Sequence, residues 1–209
     1  MATAPSANDR AVALADQLEG GLEGFSERWL PRAGELDALL ARWETGWNTH
    51  DLDLLETAIT DDIVWEDPAM MGETVHGRAE FRAFTEILFR AIPDVHFDEF
   101  GEMHLALEGT GLAFLWRMTG TFTGELAFWG RRYGSNPPAW APTGRRLSIR
   151  GVDMYEFRDG LISNWKIVYD LFGLAQQLGL LPPPDRPIPS FVLRAQRLIA
   201  SRQKRRAGG

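Results

Sequence analysis

Apolar side chains recur at a helical period from Leu36. Positions 36, 39, 40, 43 and 47 share a face, which predicts a helix with Trp43 and Trp47 on one stripe. Asn48-Thr49-His50-Asp51 breaks it, and Asp51 is placed to cap a short second helix through about Ile59. The period then changes to two. In Ile63-Val64-Trp65-Glu66-Asp67-Pro68, residues Ile63, Trp65 and Asp67 fall on one side of a strand that Pro68 ends. A helix is predicted over Ala79–Ala91, with Phe81, Phe84 and Leu88 inward and Pro93 as its stop. Strands follow at Val95–Leu107, Leu112–Phe122 and Arg146–Phe157, and the tight turn Arg158-Asp159-Gly160 leads into a fourth, Leu161–Tyr169. Asp170 is positioned to cap a last core helix to about Leu178.

Helix, helix, strand, helix and then four strands is an α+β order, with the helices on one face of an antiparallel sheet. A sheet curved around those helices encloses an apolar, cone-shaped cavity between its concave face and the first helix. The domain is expected over residues 32–181. Residues 1–31, rich in Ala, Gly and acids, read as a flexible extension in which Asp9–Leu18 has helical character. Residues 182–209 read as a Pro-rich linker and a basic amphipathic helix. From Ser190, Phe191, Val192, Ala195, Leu198 and Ile199 form a stripe opposite the arginines, suited to a partner, to the domain itself or to an anionic membrane, with packing on protein expected because the apolar face is short and lacks Trp. The irregular stretch between Thr123 and Thr143 carries Trp129, Tyr133 and Trp140 among Gly and Pro, and either roofs a pocket or packs on itself.

Charge sharpens this division. The chain of 209 residues has a net charge of −7, yet after Pro189 there are six basic residues and no acids. The remainder holds 16 basic against 29 acidic residues, a balance of −13 that argues against a nucleic-acid partner. With no cysteine, disulfides, thiol nucleophiles and thiolate metal sites are excluded. No apolar run is long enough for a membrane span and no leader is recognised, so a cytoplasmic location is expected. His50, His76, His96 and His104 lack metal-ligand spacing, and neither a metal nor another cofactor is expected.

Two acids stand out against this background. Asp67 shares its strand face with Ile63 and Trp65, and Asp153 lies mid-strand on the face of Leu147, Ile149, Gly151, Tyr155 and Phe157. A carboxylate on an apolar face is costly unless it is bonded, paired or neutralised, so both are candidate catalytic groups. For Asp67 the structural alternative is a turn acid bonding backbone amides ahead of Pro68. For Asp153 it is a core acid bonded to a Trp N–H or a Tyr hydroxyl. Trp43, Trp65, Trp116, Tyr155, Trp165 and Ile167 are the expected pocket lining, although a plain aromatic core would use the same residue types. Arg117 is expected to face away from Trp116.

Several motifs in order carry a family resemblance. They are Trp43…Trp47-Asn48…Asp51-Leu52-Asp53, Asp61-Asp62…Trp65-Glu66-Asp67-Pro68, His76-Gly77-Arg78 and Pro142-Thr143-Gly144-Arg145, followed by Phe157-Arg158-Asp159-Gly160-Leu161-Ile162, Trp165…Asp170 and Gln177-Leu178-Gly179. Over roughly residues 35 to 180 the chain resembles the nuclear transport factor two-like superfamily, and within it the SnoaL-like polyketide cyclases. Asn48 to Pro68 is similar to the ketosteroid isomerases, whose general base stands at the position of Asp67. Their protonated late-strand acid, a standard instance of carboxyl pKa tuning, corresponds to Asp153.

Two departures matter. The isomerases have a Tyr as oxyanion donor where this chain has Trp43, and losing such a donor typically costs ~10²–10³ in rate. The related cyclases and limonene epoxide hydrolases carry an Asp where this chain has Ile167. The resemblance implies a cofactor-independent proton-transfer enzyme of isomerase, cyclase or dehydratase type, acting on a hydrophobic carbonyl compound of polyketide, terpenoid or steroid class. A homodimer is expected. The alternatives are a non-catalytic small-molecule or protein-binding module of the same fold, or a hydratase or epoxide hydrolase-like enzyme, which Ile167 disfavours.

Overall fold

The structure, a computed structural model, describes residues 33–99, 103–106, 111–183 and 190–207. The N-terminal extension and most of the Pro-rich linker lie outside them. Helix α1 spans Ala33–Thr49 and α2 spans Leu52–Glu56, with the Asp51 side chain accepting from Leu54 N–H as the sequence leads one to expect. Strand β1 (Ile59–Glu66) begins four residues before the apolar alternation, in a polar stretch where Asp61 and Asp62 face solvent. After a 3₁₀ turn at Pro68–Met70 come β2 (Val75–His76) and α3 (Gly77–Ala91). The expected 95–107 strand is present as two short pieces, β3 (His96–Glu99) and β4 (His104–Leu105).

Strand β5 (Gly111–Thr121) pairs along its whole length with β8 (Arg146–Arg158), and β8 turns through Asp159-Gly160 into β9 (Leu161–Tyr169). Both turn residues have positive φ, 53° and 77°, as a two-residue hairpin requires. The 123–143 stretch is not wholly irregular. It carries a small hairpin of β6 (Leu126–Ala127) and β7 (Ala139–Trp140). Asp170 caps α4 (Leu171–Gln177) through Gly173 N–H, and α5 covers Ser190–Ala207. Val192, Leu198 and Ile199 on α5 are exposed, so this part of the C-terminal stripe does not pack on its own domain.

The main sheet runs β2-β1-β9-β8-β5-β3, with β4 also on β5. Its pairs are antiparallel except β1 with β9, which is parallel and sets Trp65 opposite Trp165. The concave face packs on α1 and α3 through an aromatic core. Trp65 and Trp165 stack with centroids 4.2 Å apart, while Trp43, Trp47 and Phe81 meet them edge-on or tilted. Burial of such rings dominates the stability of a domain this size. On the convex face Arg117 is paired with Asp98, opposite in direction to Trp116.

Candidate active site

The core leaves one large apolar cavity, about 560 Å³, within the range of small-molecule sites. Trp65 and Asp67 enter it from the end of β1, Trp116 and Met118 from β5, and Ile167 and Tyr169 from β9. Phe84, Ile87 and Leu88 of α3 form the opposite wall, and Phe128, Trp129 and Trp140 of the 123–143 stretch form a roof. That roof is fastened where Thr123 and Gly124 N–H both donate to Ala91 O at the end of α3. A Cβ on Gly124 would fall 1.9 Å from Arg90 O, so only glycine allows this approach.

Asp67 combines a structural and a chemical position. Its Oδ1 accepts from Ala69 N–H at 2.7 Å, capping the 3₁₀ turn, and from the Tyr169 hydroxyl at 2.7 Å. Among the described residues nothing donates to Oδ2. One oxygen is therefore locked while the other keeps its lone pairs for a ligand. Burial pushes the carboxyl up to about 6, with the Ala69 amide and the Tyr169 hydroxyl holding it from going further. Burial and the neighbouring Asp67 charge raise Tyr169, which stays a protonated donor.

Asp153 is 6 % exposed and stands one layer behind the wall. Oδ1 accepts from Trp116 Nε1 at 2.8 Å and Oδ2 from the Tyr155 hydroxyl at 2.7 Å, while Tyr155 itself accepts from Trp43 Nε1 at 2.8 Å. Burial pushes Asp153 up to about 7. The Tyr155, Trp165 and Trp116 donors oppose the shift, and the charge of Asp67 adds to it. The Trp165 effect acts at longer range, since its Nε1–H, like that of Trp65, has no partner within hydrogen-bonding distance. The charge of Asp67 thus acts on Asp153, and the two acids titrate as a pair.

Of the residues expected on the wall, Trp65, Trp116 and Ile167 are there. Trp43, Tyr155 and Trp165 lie behind it in the core, because helical or strand periodicity sets the side of a residue but not its depth. With its N–H committed to Tyr155, Trp43 has no free donor for a ligand. Tyr169 was not singled out from sequence. Its signal was the alternation Trp165, Ile167, Tyr169 on one face of β9. His76 is the residue ahead of α3, with no side-chain cap, and the His50 ring bonds Val95 O and stacks on Phe89. Among the described residues no three His, Asp or Glu side chains gather as a metal site.

The model of the SnoaL-like polyketide cyclase family matches residues 37–178. The chain belongs to that family. Solved structures agree on the fold. AclR from Streptomyces galilaeus is similar at 24% identity and a TM-score of 0.54, over 84% of this chain and 98% of that one. TsrD from Streptomyces laurentii is similar at 22% identity and 0.55, over 71% and 97%. A protein of ketosteroid isomerase-like fold from Catenulispora acidiphila is similar at 19% identity and 0.53, over 71% and 97%. Among curated proteins none matches. At these identities the neighbours share the fold, and the chemistry must be argued from this chain's own residues.

Proposed function

We propose that this SnoaL-like chain is a cofactor-independent proton-transfer enzyme for a hydrophobic carbonyl compound of polyketide, terpenoid or steroid class, with Asp67 as its general base. The observation that carries this reading is the asymmetry of Asp67. Oδ1 is fixed by Ala69 and Tyr169, and among the described residues nothing donates to Oδ2 on the apolar cavity wall. A carboxyl at about 6 is ionised at neutral pH yet basic enough to take a proton next to a carbonyl.

In the step, Oδ2 accepts the proton from carbon and the C–H electron pair moves into the enolate, whose oxygen takes the charge. Return of the proton from Asp67 to another carbon completes an isomerisation; attack of the enolate carbon on a second carbonyl closes a ring, and the alkoxide formed as that C=O π bond breaks takes the proton back from Asp67. Asp153 stands behind the wall and not on it, so its part is that of a positioning residue, holding Trp116 through the indole N–H that it accepts.

A non-catalytic reading has one observation in its favour, the Ala69 amide on Asp67, since an acid at that point in a turn needs no further reason. Asp67→Asn keeps the turn acceptor and removes the base. With a cavity ligand identified by mass spectrometry of the purified protein, its conversion should fall by ~10²–10⁴ in the variant while binding persists. Conversion at the wild-type rate, or tight binding with no product from either protein, would leave the binding module standing instead.

A further inference from the structure

The cavity is one-sided in charge. Asp67 and Tyr169 are the ionisable side chains on its wall, and no Arg, Lys or His reaches it among the described residues. Behind the wall Asp153 adds a second acid, close enough for the charge of Asp67 to act on it. The donors that hold the two carboxyls, Ala69 N–H, Tyr169 O–H, Trp116 N–H and Tyr155 O–H, are all neutral. Tyr169 from β9 and Asp153 from β8 are thus the titratable groups facing Asp67, and neither supplies a positive charge.

The rest of the wall is apolar, with aromatic rings set among aliphatic side chains. Its rings include Trp65, Trp116, Trp129, Phe84, Phe97 and that of Tyr169. Trp116 and Tyr169 stand edge to face with centroids 6.1 Å apart beside the Asp67–Tyr169 bond. Aromatic faces attract a cation, and a carboxylate oxygen with no protein donor supplies its counter-charge. A neutral carbonyl ligand uses the shape of this cavity but leaves that charge uncompensated. An anionic ligand meets it head-on.

We infer that the cavity also takes a hydrophobic ammonium ion, a tertiary or quaternary amine on a ring system, with Asp67 Oδ2 as counter-ion and the aromatic side chains of the wall beside it. The inference rests on the cavity of the proposed function, though not on any reaction there. It assigns the site a ligand charge class: cationic preferred, neutral accepted, anionic refused.

Benzyltrimethylammonium is a permanent cation, and neopentylbenzene is its uncharged isostere, so the pair isolates charge from shape. Binding of each is read by quenching of Trp fluorescence and by calorimetry. At about pH 8 the cation should bind the wild-type protein at least about tenfold more tightly than the isostere, the factor expected from one such interaction. The preference should vanish in Asp67→Asn, and also in the wild type at about pH 5, where Asp67 is protonated. The pH arm needs no variant and so stands even where Asp67→Asn does not fold. Equal affinity for the two probes at about pH 8, or a preference that survives both changes, overturns the inference. Absence of a cation preference together with loss of turnover in Asp67→Asn would remove the ammonium site and leave the base. A clear preference with unchanged turnover would do the reverse.

Discussion

A Cβ on Gly151 would lie 2.2 Å from Cζ2 of Trp116, its partner across the β5–β8 pair. The bare backbone at 151 lets the indole lie flat over β8 and reach Asp153, two residues on, with its N–H. Gly151→Ala should push the ring off this seat and leave a buried acceptor without its donor. The expected loss is ~1–3 kcal/mol of stability, with turnover falling as the wall shifts. Urea denaturation and a rate assay would show it, and a variant as stable and active as wild type would mean that Trp116 is not held this way.

Tyr169→Phe removes the hydroxyl that helps keep Asp67 ionised. The carboxyl then titrates higher than about 6, so the acid limb of the rate profile should move to higher pH. Rates well above that limb should change less than rates below neutrality. A limb that stays in place would dissociate Asp67 from the rate.

Stability should fall as pH rises through neutrality. Below the ordinary value of 3.8 both Asp67 and Asp153 are protonated, folded or not. From there to about 6 and about 7 the folded chain keeps protons that the unfolded chain has released, so each rise in pH favours unfolding. Asp62, Asp94 and Asp98 are held low and act in the opposite sense, losing their contribution only as pH falls further. Melting temperatures at about pH 5 and about pH 8.5 should therefore decrease in that order. The net charge of −7 pulls the same way, so the informative comparison is with Asp153→Asn, in which the difference should shrink. An equal or larger difference in the variant would show that Asp153 is not titrating from a buried position.

Trp43→Phe separates core from wall. It removes the N–H that bonds Tyr155 and leaves a gap beside Trp47 and Trp165, at a cost of ~1–3 kcal/mol. Because Trp43 does not line the cavity, turnover under conditions where the fold is intact should stay within about twofold of wild type. A large rate loss with intact stability would put Trp43 in the chemistry after all.

Local signals were the legible ones. The caps at Asp51 and Asp170 and the Asp159-Gly160 turn depend on neighbours a few residues away, and each could be read from its own short stretch. The unusual placement of Asp67 and Asp153 was legible for the same reason, since alternation alone sets their faces. Depth was not legible. Trp65 and Trp165 follow the same pattern and even pair in register, yet one reaches the cavity wall and the other does not. Nor did the pattern specify that Tyr169 would meet Asp67, because that bond joins residues 102 positions apart through a parallel pairing with no turn to announce it.

That parallel pairing has a consequence for how the protein is made. As the chain emerges during synthesis, β1 has β2 nearby but must wait for β9, and Asp67 leaves the ribosome about a hundred residues ahead of Tyr169. Until then its carboxyl is a solvated, ordinary acid. The change into a buried group with one fixed and one free oxygen comes with closure of the last strand, the slow, long-range event of such a topology. A nascent or truncated chain lacking β9 would therefore carry the proposed base as an ordinary, solvated carboxyl.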